Sequence, residues 1–152
     1  MSGALSERIG GLFVATDVTD RVQVEAAVAA AVSEYGTIDI LVNNAWGGGS
    51  IGRVENKTDE ALATGIAMAY YGPFWAMRAA FPHMKAKCWG RSVNLCSLNG
   101  VNAHVGSLEY NAAKEALRTL TRTAAREWAP TGVTVNALCP AAKSQAFFRA
   151  LG

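Results

Sequence analysis

Four short apolar runs alternate along this chain with stretches of helical period, and that alternation restricts the fold more than any other feature. The runs are residues 11–16, Ile38-Asp39-Ile40-Leu41-Val42, residues 92–96 and Val133-Thr134-Val135-Asn136-Ala137-Leu138. Between the first two, Asp20 with Gln23 three residues later is a capping signal, and Val24, Val28, Val32 and Tyr35 then recur at helical spacing until Gly36 offers a stop. Thr58, followed by Asp59 and Glu60, opens a second helix towards Lys85, with a bend expected near Pro73 because proline cannot donate to the preceding turn. Ser107 opens a third, which ends near Ala129-Pro130-Thr131-Gly132. Strand and helix in strict alternation predict an α/β fold: a parallel sheet with helices on both faces, and ligands bound outside the carboxyl ends of the strands.

Size and charge narrow the function classes. With 152 residues, 51% of them hydrophobic and 17% charged, residues 1–152 read as one domain, able to bury roughly 70% of its unfolded surface. The net charge is only +2 and Lys and Arg are not clustered, so neither nucleic acid nor a membrane surface is an expected partner. No apolar stretch approaches the roughly 20 residues that span a bilayer, and the first residues lack a signal core, so a cytoplasmic location is expected. Cys88, Cys96 and Cys139 show no C-x-x-C spacing and there are two His, so the thiols read as reduced and packed, with no metal site. Gly47, Gly49 and Gly52 spell G-x-G-x-x-G, but the next helix signal comes only at Thr58, and a flexible loop is expected. His83 and His104 have no third ligand beside them and read as packing residues.

Asp17, Asn44, Ser97 and Pro140 each follow a predicted strand, which is where a ligand crevice opens in such a sheet. Tyr110 and Lys114 stand four apart at the start of a predicted helix and so share a face. A phenol has a pKa near 10, and a cation within about 4 to 6 Å lowers it by roughly 1 to 3 units, which suits proton transfer. On the residues alone, the plainer alternatives are a turn or cap role for Asp17, which is compatible with ligand binding, and a satisfied strand-end hydroxyl for Ser97.

Through Asp17-Val18, Asn43-Asn44-Ala45, Asn94-Leu95-Cys96-Ser97, Tyr110-Asn111-Ala112-Ala113-Lys114 and Val135-Asn136-Ala137-Leu138-Cys139-Pro140, the chain resembles the short-chain dehydrogenase/reductase family. Order and spacing match along nearly the whole chain. The resemblance implies a Rossmann-like sheet and an NAD(P)-dependent oxidoreductase that interconverts an alcohol and a carbonyl by hydride transfer. Tyr110 would be the general acid/base, Lys114 would support it and hold the nicotinamide ribose, and Ser97 would orient the substrate oxygen. Asp17 and Val18 would meet the adenine, Asn44 and Ala45 the adenosine ribose, and Pro140 and Ala141 the nicotinamide. The implied cofactor is NAD or NADP and the implied partners are a small-molecule alcohol or carbonyl and further copies of the chain, as a dimer or tetramer.

The chain also departs from the family pattern. By that resemblance the chain is expected to lack the phosphate-binding Gly-x-x-x-Gly-x-Gly turn, the first two strands and the last strand of the family fold. Ala69 stands where the family usually has Asn, and Trp46 and Ala141 where it has Gly. The alternative reading is therefore a catalytically silent, truncated homologue that serves as an association module through its second and third helices. If residues 11–16 form the family's third strand, the two strands that stand between it and residues 38–42 are absent, and the expected repair is direct parallel pairing with residues 38–42.

Overall fold

A computed structural model describes residues 2–140 of the chain. After a short helix, α1 (Ser2–Ile9), the first long helix, α2 (Arg21–Tyr35), begins where the capping signal places it. The Asp20 carboxylate accepts from the backbone N–H groups of Val22 and Gln23, and Gly36, at φ 79°, closes the helix on the Val32 carbonyl. Strand β1 (Ile40–Asn43) leads into a loop that contains a 3-10 turn, Val54–Asn56. Thr58 then caps α3 (Asp59–Ile66), its hydroxyl accepting from the Ala61 N–H at 3.2 Å.

The expected bend takes the form of a π-helical turn, Ala67–Tyr71, which closes from the Gly72 N–H to the Ala67 carbonyl and inserts one residue ahead of Pro73. Helix α4 (Gly72–Ala86) continues from it into β2 (Gly90–Leu95). A one-turn helix, α5 (Leu98–Val101), precedes the long α6 (Leu108–Trp128). Gly132, at φ 78°, turns the chain into β3 (Val133–Leu138).

The three strands form one parallel sheet in the order β1-β2-β3, with Ile40 opposite Arg91 and Gly90 opposite Val133. Each step runs in the same direction across the sheet, and right-handed crossovers then place the connecting helices on the same side. Accordingly α4 and α6 share a face with α2, which packs against α4. Val28, Ile38, Ala80, Met84 and Val133 form one core cluster, and Met77, Ala124 and Val135 another.

Asn94 on β2 is fully buried and joins the layers: its side chain accepts from Asn43 on β1 at 2.7 Å and donates to the Thr121 hydroxyl on α6 at 2.9 Å. On the opposite face Ile40, Val42, Thr134 and Asn136 are exposed. Helices thus flank a parallel α/β sheet as expected, while among the described residues the long ones cover a single face.

Residues 11–17 are not a strand, which corrects the sequence reading, and the pairing expected between residues 11–16 and 38–42 is not formed. The Leu12 N–H instead donates to the Tyr35 hydroxyl at 2.9 Å. The cause lies in the helices: α2 is held to α4 partly by Glu25 and Arg78, 2.8 Å apart, and the Val18 backbone lies tight against Gly72. Residues Thr16 and Val18 are thereby kept across a cleft of ≈ 340 Å³ from Ile40 and Val42. The cysteines are free, as expected, but only Cys96 is buried, and Cys88 is exposed. Burial pushes the Cys96 thiol up to about 11.

Candidate functional site

The carboxyl ends of the strands and the start of α6 meet in one place because the strands are parallel and the α5 turn packs against α6. Asn44 follows β1, Ser97 follows β2 and Pro140 follows β3, while α6 presents Tyr110 and Lys114 one turn apart on the same face. All five line one cleft of ≈ 370 Å³. The sequence reading expects these residues at one crevice, and the fold gathers all five in one lining.

Lys114 is the best-defined group in the cleft. It is only 4% exposed, and its Nζ donates to the Leu95 carbonyl at 2.7 Å, a bond that leaves two donors. Burial holds its pKa below the ordinary lysine value. The ammonium lies 5.7 Å from the centroid of the Tyr110 ring. The Tyr110 hydroxyl has no hydrogen-bond partner among the described residues. Ser97 is buried, and its Oγ accepts from the Asn99 N–H at 3.1 Å, capping α5 while its own O–H remains a donor. The strand-end role and an outward donor role are therefore compatible.

The remaining predicted residues lie elsewhere. Val18, Asn44 and Ala45 line the cleft beside β1, and Asn44, common to both clefts, makes them neighbours. Asp17 is a turn residue: its Oδ1 accepts from the Thr19 N–H at 2.9 Å and from the Thr19 hydroxyl at 2.7 Å. Those two bonds hold its carboxyl below the ordinary aspartate value. It lines neither cleft. Ala141 lies outside the described residues. Ala69 is buried in the π-helical turn. No group of three His, Cys, Asp or Glu among the described residues could hold a metal ion, and no described helix is long and apolar enough to cross a membrane.

Two features were not resolved by the sequence. Trp46 packs edge-on against Tyr110, with ring centroids 4.8 Å apart, and Lys114 Nζ sits 5.5 Å from its centroid. Behind it, Glu109 and Lys57 form an ion pair at 2.7 Å with side chains 2% and 3% exposed. Burial alone would raise the Glu109 carboxyl, but hydrogen bonds from Lys57 and from the Ser50 N–H outweigh it and hold the group at about 2. Nothing in the sequence signals this pair, since the partners are far apart and neither belongs to a motif. Trp46 was visible as a departure, though its direction was not.

The family model for short chain dehydrogenases matches residues 4–150. An uncharacterised oxidoreductase of Bacillus subtilis (strain 168) is 41% identical over 124 residues, 82% of this chain and 48% of its own. A 12alpha-hydroxysteroid dehydrogenase of Clostridium sp. is 36% identical, over 90% of this chain and 55% of its own. Among solved structures, NAD+-bound xylitol dehydrogenase superposes with a TM-score of 0.82 at 31% identity, over 91% of this chain and 54% of that one. The chain spans about half the length of these relatives.

Proposed function

This chain belongs to the short-chain dehydrogenase family, and we propose that it serves an NAD(P)-dependent interconversion of an alcohol and a carbonyl in which Ser97, Tyr110 and Lys114 handle the substrate oxygen. The observation that carries this reading is their convergence in one cleft at the carboxyl ends of the strands.

The donor set suits the nicotinamide and ribose half of a dinucleotide. Lys114 keeps two donors for ribose hydroxyls, with Pro140 and Asn44 on the same wall. Val18 and Ala45, around the shared Asn44, offer a continuation for the adenosine half. The bound cofactor supplies or accepts the hydride. Ser97 donates its hydroxyl hydrogen to the substrate oxygen and fixes it, and Tyr110 gives its phenolic proton to the same oxygen in the reductive direction and takes it back in the oxidative one. The charge that develops on the phenol is met by the Lys114 ammonium over the ring, 5.7 Å from its centroid, an attraction worth more here than in water because Lys114 is buried.

Substitution of Tyr110 by Phe keeps the ring against Trp46 and deletes the hydroxyl. Turnover of an alcohol or carbonyl with NAD(H) or NADP(H) is expected to drop by roughly 100-fold or more with an unchanged melting temperature. A variant that keeps most of the wild-type rate would exclude the role.

A second reading is an association module without catalysis; its association is supported by β1, an end strand of the sheet whose Ile40 and Val42 are 60% and 55% exposed on the open face. In either reading the surface partner is a further copy of the chain, as a dimer or tetramer.

A further inference from the structure

Trp46 lines two cavities at once. On one side is the ≈ 370 Å³ cleft of Ser97, Tyr110 and Lys114; on the other is a second cavity of ≈ 300 Å³, reached by Thr64, Gly65 and Met68 of the α3 region. The indole packs against Tyr110, which lines the first, and is approached by Gly49, which lines the second. We infer that Trp46 sets the size of the carbonyl compound the site accepts, confining the substituents beside the reacting carbon to the Tyr110 cleft and closing off the cavity at Thr64 and Met68. This rests on the oxidoreductase reading and adds to it a residue that determines specificity.

Three observations place the ring firmly enough for that role. Its edge-on contact with Tyr110 and the Lys114 ammonium over it hold the side towards the cleft. Its far side is backed by Gly49, at φ 90°, where a Cβ would stand 3.5 Å from the indole. The loop that carries it is fastened from below, because the Ser50 N–H donates to Glu109 at 2.8 Å and Glu109 is itself paired with Lys57. No hydrogen bond among the described residues ties the indole N–H. Truncating the ring therefore opens space without breaking a hydrogen bond.

Selectivity by such a ring is steric. A pocket that lacks room for a substituent discriminates by roughly 10-fold to 200-fold per small group, and an aryl ring exceeds a small group. Relatives named for substrates of very different bulk, such as a hydroxysteroid and hydroxybutyrate, do not decide the size for this chain. The side chain at position 46 does.

The test compares wild type with Trp46→Phe and Trp46→Ala, each checked for an unchanged circular dichroism spectrum. Reduction of 2-butanone and of 4-phenyl-2-butanone is measured with NADH and with NADPH, and binding of 4-phenyl-2-butanol is followed separately by saturation-transfer NMR. The ratio of kcat/KM for the aryl ketone over the small ketone should rise by about 10-fold or more from Trp to Ala, with Phe between. Affinity for the aryl alcohol should rise in the same order. Ratios and affinities that stay within about twofold, or that fall, overturn the role of Trp46. Absence of turnover by all three proteins, with aryl-alcohol affinity still graded by residue 46, would overturn the oxidoreductase reading alone. If Trp46→Ala fails to fold, the Phe variant carries the comparison.

Discussion

Glu109 shows how one buried residue couples the neighbourhood of the site to acid stability. Its carboxyl stands at about 2 in the folded chain against an ordinary 4.5. A depressed folded value means that its contribution is fully present above 4.5 and is lost as the pH falls from 4.5 towards 2. Wild type should therefore lose urea stability steeply through that window, and Glu109→Gln should be much flatter there. Near neutral pH the same variant leaves Lys57 buried without a counter-charge and is expected to cost about 3 kcal/mol. Equal slopes for the two proteins between pH 4.5 and 2 would show that the ion pair does not govern the acid limb.

At the scale of elements, caps and glycines decide where helices stop and strands start. Gly132 ends the 3-10 turn after α6 in the left-handed region, and a Cβ there would overlap the Cys88 carbonyl at the entry to β2. Both the backbone conformation and the close approach require glycine. Gly132→Ala is accordingly expected to destabilise by roughly 2 kcal/mol or more, read as a lower midpoint in urea. An unchanged midpoint would mean that the β2 and β3 entries can separate at little cost. The π-helical turn is a similar local device: it spends one extra residue ahead of Pro73 and keeps Met77, Ala80 and Met84 of α4 in the core.

For the whole molecule the decisive feature is an edge. Strand β1 has β2 on one side and a cleft on the other, and an open parallel edge with exposed Ile40 and Val42 invites pairing with another chain. Sedimentation velocity should show concentration-dependent association, and Val42→Lys should weaken it by placing a charge on that strand. A wild type that remains monomeric across the micromolar range would contradict this. Cofactor affinity is also set at this scale. Among the described residues no glycine-rich turn opens a helix beside either cleft, since the glycines of residues 47–52 lead into a loop and a 3-10 turn. The described residues therefore offer a pyrophosphate no such row of amides at a helix N-terminus. NAD(P)H should bind this chain more weakly than micromolar by calorimetry, and a tighter constant would refute that account.

The sequence by itself determined what local chemistry can determine. Asp20, Thr58 and Gly36 carry their capping information in the side chain or its absence, so the helix ends were legible, and β3 was legible to the residue because Gly132 marks its start. Tyr110 and Lys114 were legible as a pair because one helix turn separates them. What lay beyond local reach was decided by packing. Residues 11–16 have a strand's composition, yet a strand needs a partner at hydrogen-bonding distance, and the docking of α2 on α4 leaves a cleft there instead. The common direction of the crossovers, rather than any residue pattern, put the long helices on one face. Trp46 is the clearest case: the sequence shows a large ring where a glycine was expected, but only the fold turns that ring onto Tyr110 and sets it in the lining of two cavities.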